Sequence, residues 1–213
     1  MAVVAKICGL NDAAGIAAAV AGGARFLGFV FYPPSPRNVT PARAKELMAA
    51  VPAGITRVGL FVDADDVAIE AALAAPLDLL QFHGAETPER VAAVKRKFGL
   101  PVMKAISVAA RDDVAAAERY LGAADRLLFD AKPPRDPGAL PGGNGLAFDW
   151  QLLGQRTWKL PWMLSGGLTA QNLAEAVATT HAREVDVSSG VESRPGVKDS
   201  AKIAAFLKAA ASL

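Results

Sequence analysis

Cys8 is the only cysteine in a chain of 213 residues, and its position gives it a choice of chemistry. It sits in Lys6-Ile7-Cys8-Gly9, where the short apolar run Val3–Ile7 breaks into a turn and Asn11-Asp12 open an alanine-rich helical stretch. The carboxyl end of a strand, just before a helix, is where α/β proteins place ligands and chemistry. A thiol there is equipped to act as acid, base or nucleophile, although a lone cysteine is more often a small buried hydrophobe. Asp130 ends another apolar run, Arg126–Asp130. It suits a turn-former or an ion-pair partner of Lys132, or else a carboxylic acid facing Cys8 across a barrel mouth. Arg37 closes Tyr32-Pro33-Pro34-Ser35-Pro36-Arg37, where prolines restrict the backbone that carries it. A stiffly mounted guanidinium suits a planar carboxylate.

Two glycine-rich turns add a different capacity. Leu164-Ser165-Gly166-Gly167-Leu168 and Val187-Ser188-Ser189-Gly190-Val191 each follow an apolar run. Glycine lets backbone approach a ligand closely, and exposed amide hydrogens with a helix N-terminus hold phosphate without a full charge. Either turn alone is an ordinary chain reversal. The pair, at matching places late in the chain, points to Gly166, Gly167, Ser188, Ser189 and Gly190 as a phosphate site. His83, two residues beyond Gln81, reads as a hydrogen-bonding or packing group. The other histidine, His181, lies near a helix end, so no histidine-based metal constellation is visible.

These residues need a scaffold, and the hydrophobic pattern supplies one. Candidate strands are Val3–Ile7, Phe26–Val30, Arg57–Phe61, Leu77–Gln81, Val102–Ile106, Arg126–Asp130, Trp162–Leu164 and Glu184–Val187. Helical patterns lie between them at Asp12–Ala21, Pro41–Ala50, Asp65–Ala74, Pro88–Phe98, Asp112–Leu121, Ala170–Thr179 and Asp199–Ala210. Thr40-Pro41, Thr87-Pro88-Glu89 and Thr169 read as helix caps. Strand and helix alternating about eight times in this length is the pattern of a single closed (β/α)₈ barrel spanning residues 1–213, with a doubly wound sheet as the alternative. The stretch from Lys132 to Gly145 is too rich in proline and glycine for a regular element, and reads as a lid or a disordered segment.

Side chains alternate along a strand, so parity sorts the polar ones. Lys6, Cys8, Gln81, Lys104, Asp130 and Asp186 oppose apolar neighbours that want the helix layer, which predicts that they point inward; His83 shares a face with Gln81. Buried charges are costly unless they pair or work. On closure the first and eighth strands are neighbours, suggesting Lys6 with Asp186; the fifth and sixth suggest Lys104 near Asp130. Lys6 on the same strand face as Cys8 is expected to lower the thiol pKa.

Composition narrows the partners. A net charge of +2 with scattered basic residues does not argue for nucleic acid; the run Lys95-Arg96-Lys97 complements a helix C-terminus. One cysteine excludes an intrachain disulfide framework. No apolar run spans a bilayer, and the chain enters a strand without a charged leader and apolar core, so no signal peptide is expected. A cytoplasmic protein without membrane attachment is the expectation.

In order along the chain, Lys6-Ile7-Cys8-Gly9, Gly28-Phe29-Val30-Phe31 with Pro36-Arg37, Gln81-Phe82-His83-Gly84, Phe129-Asp130, Gly142-Gly143-Asn144-Gly145 with Phe148-Asp149-Trp150, Leu164-Ser165-Gly166-Gly167-Leu168 and Asp186-Val187-Ser188-Ser189-Gly190-Val191-Glu192 resemble the phosphoribosylanthranilate isomerase family of tryptophan biosynthesis. The resemblance implies one (β/α)₈ barrel and a cofactor-free Amadori rearrangement, an intramolecular oxidoreduction of the aldose–ketose type. In it, N-(5-phosphoribosyl)anthranilate becomes 1-(2-carboxyphenylamino)-1-deoxyribulose 5-phosphate. Carried over by position, Asp130 protonates the furanose ring oxygen and Cys8 removes the proton from sugar C2. Arg37 holds the anthranilate carboxylate, and Gly166-Gly167 with Ser188-Ser189-Gly190 hold the phosphate. Lys6, Gln81, His83, Gly143 and Asp186 complete the pocket. The implied partner is a small phosphosugar, and the protein a monomer or homodimer. One departure is Asn144, where the family usually has threonine or serine.

Three other readings stay in view. The barrel isomerase shared by histidine and tryptophan pathways typically has aspartate where Cys8 stands, and carries two phosphate sites in duplicated half-barrels. A sugar-phosphate epimerase binds metal through histidines missing here. A phosphosugar-binding barrel without catalysis has no use for Cys8 facing Asp130.

Overall fold

Short runs rich in valine, leucine and phenylalanine form parallel strands buried on both faces, as such composition favours. They are β1 (Val4–Cys8), β2 (Phe26–Val30), β3 (Thr56–Phe61), β4 (Leu79–Phe82), β5 (Val102–Val108), β6 (Arg126–Ala131), β7 (Trp162–Leu164) and β8 (Glu184–Val187). Each pairs with the next, and β8 pairs with β1, closing an eight-stranded barrel. The helices α1 (Ala13–Ala21), α2 (Pro41–Met48), α3 (Asp66–Ala72), α4 (Pro88–Phe98), α5 (Arg111–Ala116), α6 (Leu173–Thr180) and α7 (Ser200–Ala211) alternate with them. The computed structural model describes residues 2–133, 140–154 and 156–213. Part of the proline- and glycine-rich stretch, residues 134–139, thus lies outside the described residues. Between β6 and β7 the described residues hold a 3-10 turn, Trp150–Leu152, and no α-helix.

Local chemistry sets the helix starts. The Thr40 and Thr87 hydroxyls accept from the N–H groups of Arg43 and Arg90, each with proline at the first helical position. Thr169 behaves differently. Its N–H donates to the Asn172 side chain while its hydroxyl accepts from the Asn172 N–H, closing a turn first, so α6 begins at Leu173.

Apolar side chains make two layers. Val58, Leu79, Met103, Ala105, Leu128 and Met163 fill the barrel interior below the mouth, while a larger cluster including Ile7, Phe29, Phe61, Phe82, Phe129 and Phe206 joins barrel to helices. Lys104 departs from the parity reading. Met103 and Ala105 take the interior, and Lys104 turns to the helix side. There its Nζ lies 2.9 Å from Glu86 Oε2 and 2.7 Å from the Gly84 carbonyl, over the Tyr120 ring. Nor does it approach Asp130 along the sheet: Lys104 is in register with Leu127, and Asp130 with Ser107. The barrel's inner floor is as apolar as its outer layer, so hydrophobic neighbours did not identify the inward face of β5.

After β8 a small antiparallel hairpin follows, β9 (Glu192–Arg194) and β10 (Val197–Lys198), turning at Pro195-Gly196. The hairpin lay outside the expected elements, although a Pro-Gly pair is a strong turn signal.

Candidate active site

The strands deliver their last residues to one cavity at the carboxyl end of the barrel, of about 770 Å³ counting the space open at its mouth. Cys8, Arg37, Gln81, His83, Asp130, Gly143, Gly166, Gly167, Asp186, Ser188, Ser189 and Gly190 all line it. Lys6 lies one level deeper and is fully buried.

Cys8 ends β1 with its thiol at the cavity wall, beside Val30 and Leu60, with Tyr32 and Val62 packed against them. Its register partner on β2 is Gly28, where a Cβ would sit 2.8 Å from Sγ. The missing side chain makes room for the sulfur. Below it, Lys6 and Asp186 are in register across the β1–β8 seam and pair at 2.9 Å, as parity predicted. The Ser165 hydroxyl donates to the other Asp186 oxygen at 3.1 Å. Burial alone would lower the Lys6 ammonium, but Asp186 and Cys8 hold it above its ordinary value. The thiol itself departs from expectation. Burial pushes Cys8 above its ordinary value, and the pull of Lys6 does not overcome it because Asp186 opposes that pull.

Asp130, on β6, stands three strands from Cys8 by the shorter way round the barrel. Its Oδ1 accepts from the Ala131 N–H at 2.9 Å. Neither lysine considered for it is near: Lys104 is on Glu86 and Lys132 is 3.2 Å from Asp113. Its neighbour is His83, whose Nε2 lies 3.2 Å from Asp130 Oδ2. Although that separation suits a hydrogen bond, the angle does not, and His83 Nε2 has no aligned partner among the described residues. Gln81 Nε2 sits 3.3 Å from His83 Nδ1. With the Gln81 amide nitrogen facing Nδ1, the ring hydrogen belongs on Nε2, toward the carboxylate.

Arg37, on the loop after β2, is buried rather than solvated. Its Nε and Nη2 donate to the two Glu192 oxygens at 2.7 and 2.8 Å, and Nη2 also to the Gly143 carbonyl at 3.1 Å. Glu192, which the sequence placed in a motif without a role, also accepts from Lys198 Nζ at 2.7 Å. Burial alone would raise its pKa, but Arg37 and Lys198 hold it below the usual carboxylate range. Gly143 has φ +75°, and a Cβ there would fall 2.5 Å from Arg37 Nη1. Only glycine meets both demands. Asn144 turns its side chain to the Leu140 carbonyl, 2.8 Å away, closing its own loop.

The two glycine-rich turns meet at the cavity's other end. Among the described residues, the N–H groups of Gly166, Gly167, Ser189 and Gly190 donate to no protein acceptor. The second turn starts a short 3-10 helix, Ser189–Val191. Uncommitted amides at a helix start suit an anion. No group of three or more His, Cys, Asp or Glu among the described residues is arranged to hold a metal, and no helix of the structure is long and apolar enough to cross a membrane.

The chain matches the family model described as N-(5'phosphoribosyl)anthranilate (PRA) isomerase over residues 5–209. It is 61% identical to an N-(5'-phosphoribosyl)anthranilate isomerase of Rhodospirillum centenum, with 100% of both chains covered. A second of that name, from Paramagnetospirillum magneticum, is 58% identical, covering 99% of this chain and 98% of its own. Among solved structures, the phosphoribosyl anthranilate isomerase of Thermotoga maritima superposes with a TM-score of 0.87 at 35% identity, covering 99% of this chain and 100% of its own. Another phosphoribosyl anthranilate isomerase, solved in complex with reduced 1-(O-carboxyphenylamino)-1-deoxyribulose 5-phosphate, gives a TM-score of 0.83 at 32% identity over 99% and 100%.

Proposed function

The chain belongs to the N-(5'-phosphoribosyl)anthranilate isomerase family, and we propose that its cavity rearranges N-(5'-phosphoribosyl)anthranilate with Cys8 as general base and Asp130 as general acid. It is an isomerase catalysing an intramolecular rearrangement in tryptophan biosynthesis. What supports the assignment of roles is one observation: a thiol and a carboxyl group, on strands well apart round the barrel, reach the same cavity.

In this reading Asp130 gives its proton to the furanose ring oxygen. The ring C1–O bond breaks, leaving an open chain with a C1=N iminium and a hydroxyl on C4. The Cys8 thiolate then takes the proton from C2, and the C2–H electrons close a C1=C2 bond while the C=N electrons return to nitrogen. The resulting enolamine becomes the ketone by losing its C2 hydroxyl proton and gaining one at C1. Carbon 2 is oxidised and carbon 1 reduced, so the electrons balance within the substrate.

The anionic ends set the substrate's direction. The open amides of Gly166, Gly167, Ser189 and Gly190 take the phosphate, and the part of Arg37 left over by Glu192 takes the anthranilate carboxylate. The apolar wall of Val30, Leu60 and Val62 beside Cys8 excludes water from the thiol. A raised thiol pKa reduces the thiolate present at neutral pH but makes it a stronger base at C2. A solved relative bound to a reduced product analogue supports a phosphosugar ligand of this kind.

Cys8→Ser and Asp130→Val should each lose several orders of magnitude in turnover of freshly generated substrate, while retaining fold by circular dichroism. Near-wild-type turnover in either variant would overturn that residue's role.

A further inference from the structure

We propose that Glu192 is a positioning residue for recognition of the substrate's carboxylate, holding Arg37 so that one edge of the guanidinium faces the cavity. The inference rests on the reading of Arg37 given above and adds to it the residue that makes it work.

An arginine side chain has five N–H donors in a fixed fork. Glu192 takes Nε and one hydrogen of Nη2 side-on, at 2.7 and 2.8 Å, and the Gly143 carbonyl takes the other Nη2 hydrogen at 3.1 Å. Nη1 has no acceptor among the described residues, yet it is not among the side-chain atoms sealed from space. Its two hydrogens are the donors left for a ligand. Because three of the five are fixed, the direction of the remaining two is fixed as well.

Glu192 is itself immobilised. It is 6% exposed and lies on the β9–β10 hairpin, 155 residues along the chain from Arg37. Besides Arg37 it accepts from Lys198 Nζ at 2.7 Å and from the Gly196 N–H at 3.2 Å. Lys198 in turn donates to the Ser188 carbonyl at 2.9 Å, at the start of the second glycine-rich turn. One carboxylate therefore links the guanidinium to the turn assigned to phosphate, and fixes the spacing of the two anionic anchors.

The charge count points the same way. Lys6–Asp186 and Lys104–Glu86 pair one to one. Here two cations, Arg37 and Lys198, share Glu192, leaving one formal positive charge in this cluster. A bound carboxylate completes the set, and a buried cluster with one charge uncompensated favours such a ligand.

The test compares kcat/KM on N-(5-phosphoribosyl)anthranilate with that on N-(5-phosphoribosyl)aniline, which lacks the carboxylate. The readout is the ratio, since general loosening or damage to the phosphate turn lowers both values alike. Wild type should prefer the carboxylated compound. Glu192→Gln, which sets an amide NH₂ against a guanidinium N–H and turns Arg37 away, should lose about 10- to 100-fold of that preference, the scale of a small misplacement of a binding group. Should that variant fail to fold, Glu192→Asp, which keeps the charge but draws it back by one methylene, carries the same comparison. A folded variant that keeps the wild-type ratio would overturn the role of Glu192 alone. A wild-type enzyme indifferent to the carboxylate would overturn the assignment of Arg37, and this inference with it.

Discussion

Replacing Lys6 by methionine should both weaken the fold and disturb Cys8, the proposed base. The ammonium and the Asp186 carboxylate are 0% and 5% exposed at 2.9 Å, which at an effective dielectric near 20 corresponds to about 6 kcal/mol of attraction. Most of that offsets the desolvation of the two charges, so the net worth of the pair is smaller. Removing one partner is another matter. In Lys6→Met, Asp186 keeps only the Ser165 hydroxyl, and an orphaned buried charge costs about 3–5 kcal/mol. For a chain of this size that lowers Tm by about 6–20 °C. Urea titration supplies the free energy directly, and adding Asp186→Leu should recover much of the loss by removing the orphan. The same substitution removes the main pull that opposes burial at Cys8. Thiolate is then harder to form, so kcat/KM near neutrality falls and its ascending limb moves to higher pH. In wild type that limb should already lie above the ordinary thiol range, since burial raises Cys8. A loss below about 1 kcal/mol, as for an exposed pair, or an unmoved limb, would refute the reasoning.

His83→Asn replaces the ring whose Nε2 lies 3.2 Å from Asp130 Oδ2 without an aligned hydrogen bond, and should lower kcat by no more than about 10-fold, the ceiling for a neutral hydrogen bond, with KM changed less; steady-state kinetics separates the two. Gly143→Ala puts a Cβ against Arg37 Nη1 at a φ of +75°; about 1–2 kcal/mol of left-handed strain should appear chiefly as a higher KM. Burial alone would raise the Glu192 carboxyl, but Arg37 and Lys198 hold it low. Its stabilisation is therefore complete above about pH 4.3 and lost as pH falls through the lower folded-state value. Glu192→Gln should flatten that acid limb when urea stability is followed from neutrality downward.

Why the sequence yielded the barrel but misplaced Lys104 comes down to which contrasts alternation can detect. Eight apolar runs with capped helices between them specify a closed sheet, since each run must be covered on both faces. Parity within a run separates two faces only when they differ in polarity. Near the mouth they do: Cys8, Gln81, His83, Asp130 and Asp186 face the cavity while Ile7, Phe82, Phe129 and Val185 face the helices. Lower down, Met103 and Ala105 enter a floor as dry as the helix layer, and a lysine on either side looks alike until its partner is known. That partner, Glu86, lies just before α4, in a loop whose direction no periodicity reports. Glu192 was hidden for a related reason. Its work depends on Arg37 meeting it from the far end of the chain, and only a closed barrel, by setting β2 and β8 on either side of β1, brings the two loops together. The residues proposed to do chemistry, Cys8 and Asp130, stand near strand ends, where pattern still guides; Arg37 and Glu192 meet across 155 residues of chain, where distance in three dimensions decides.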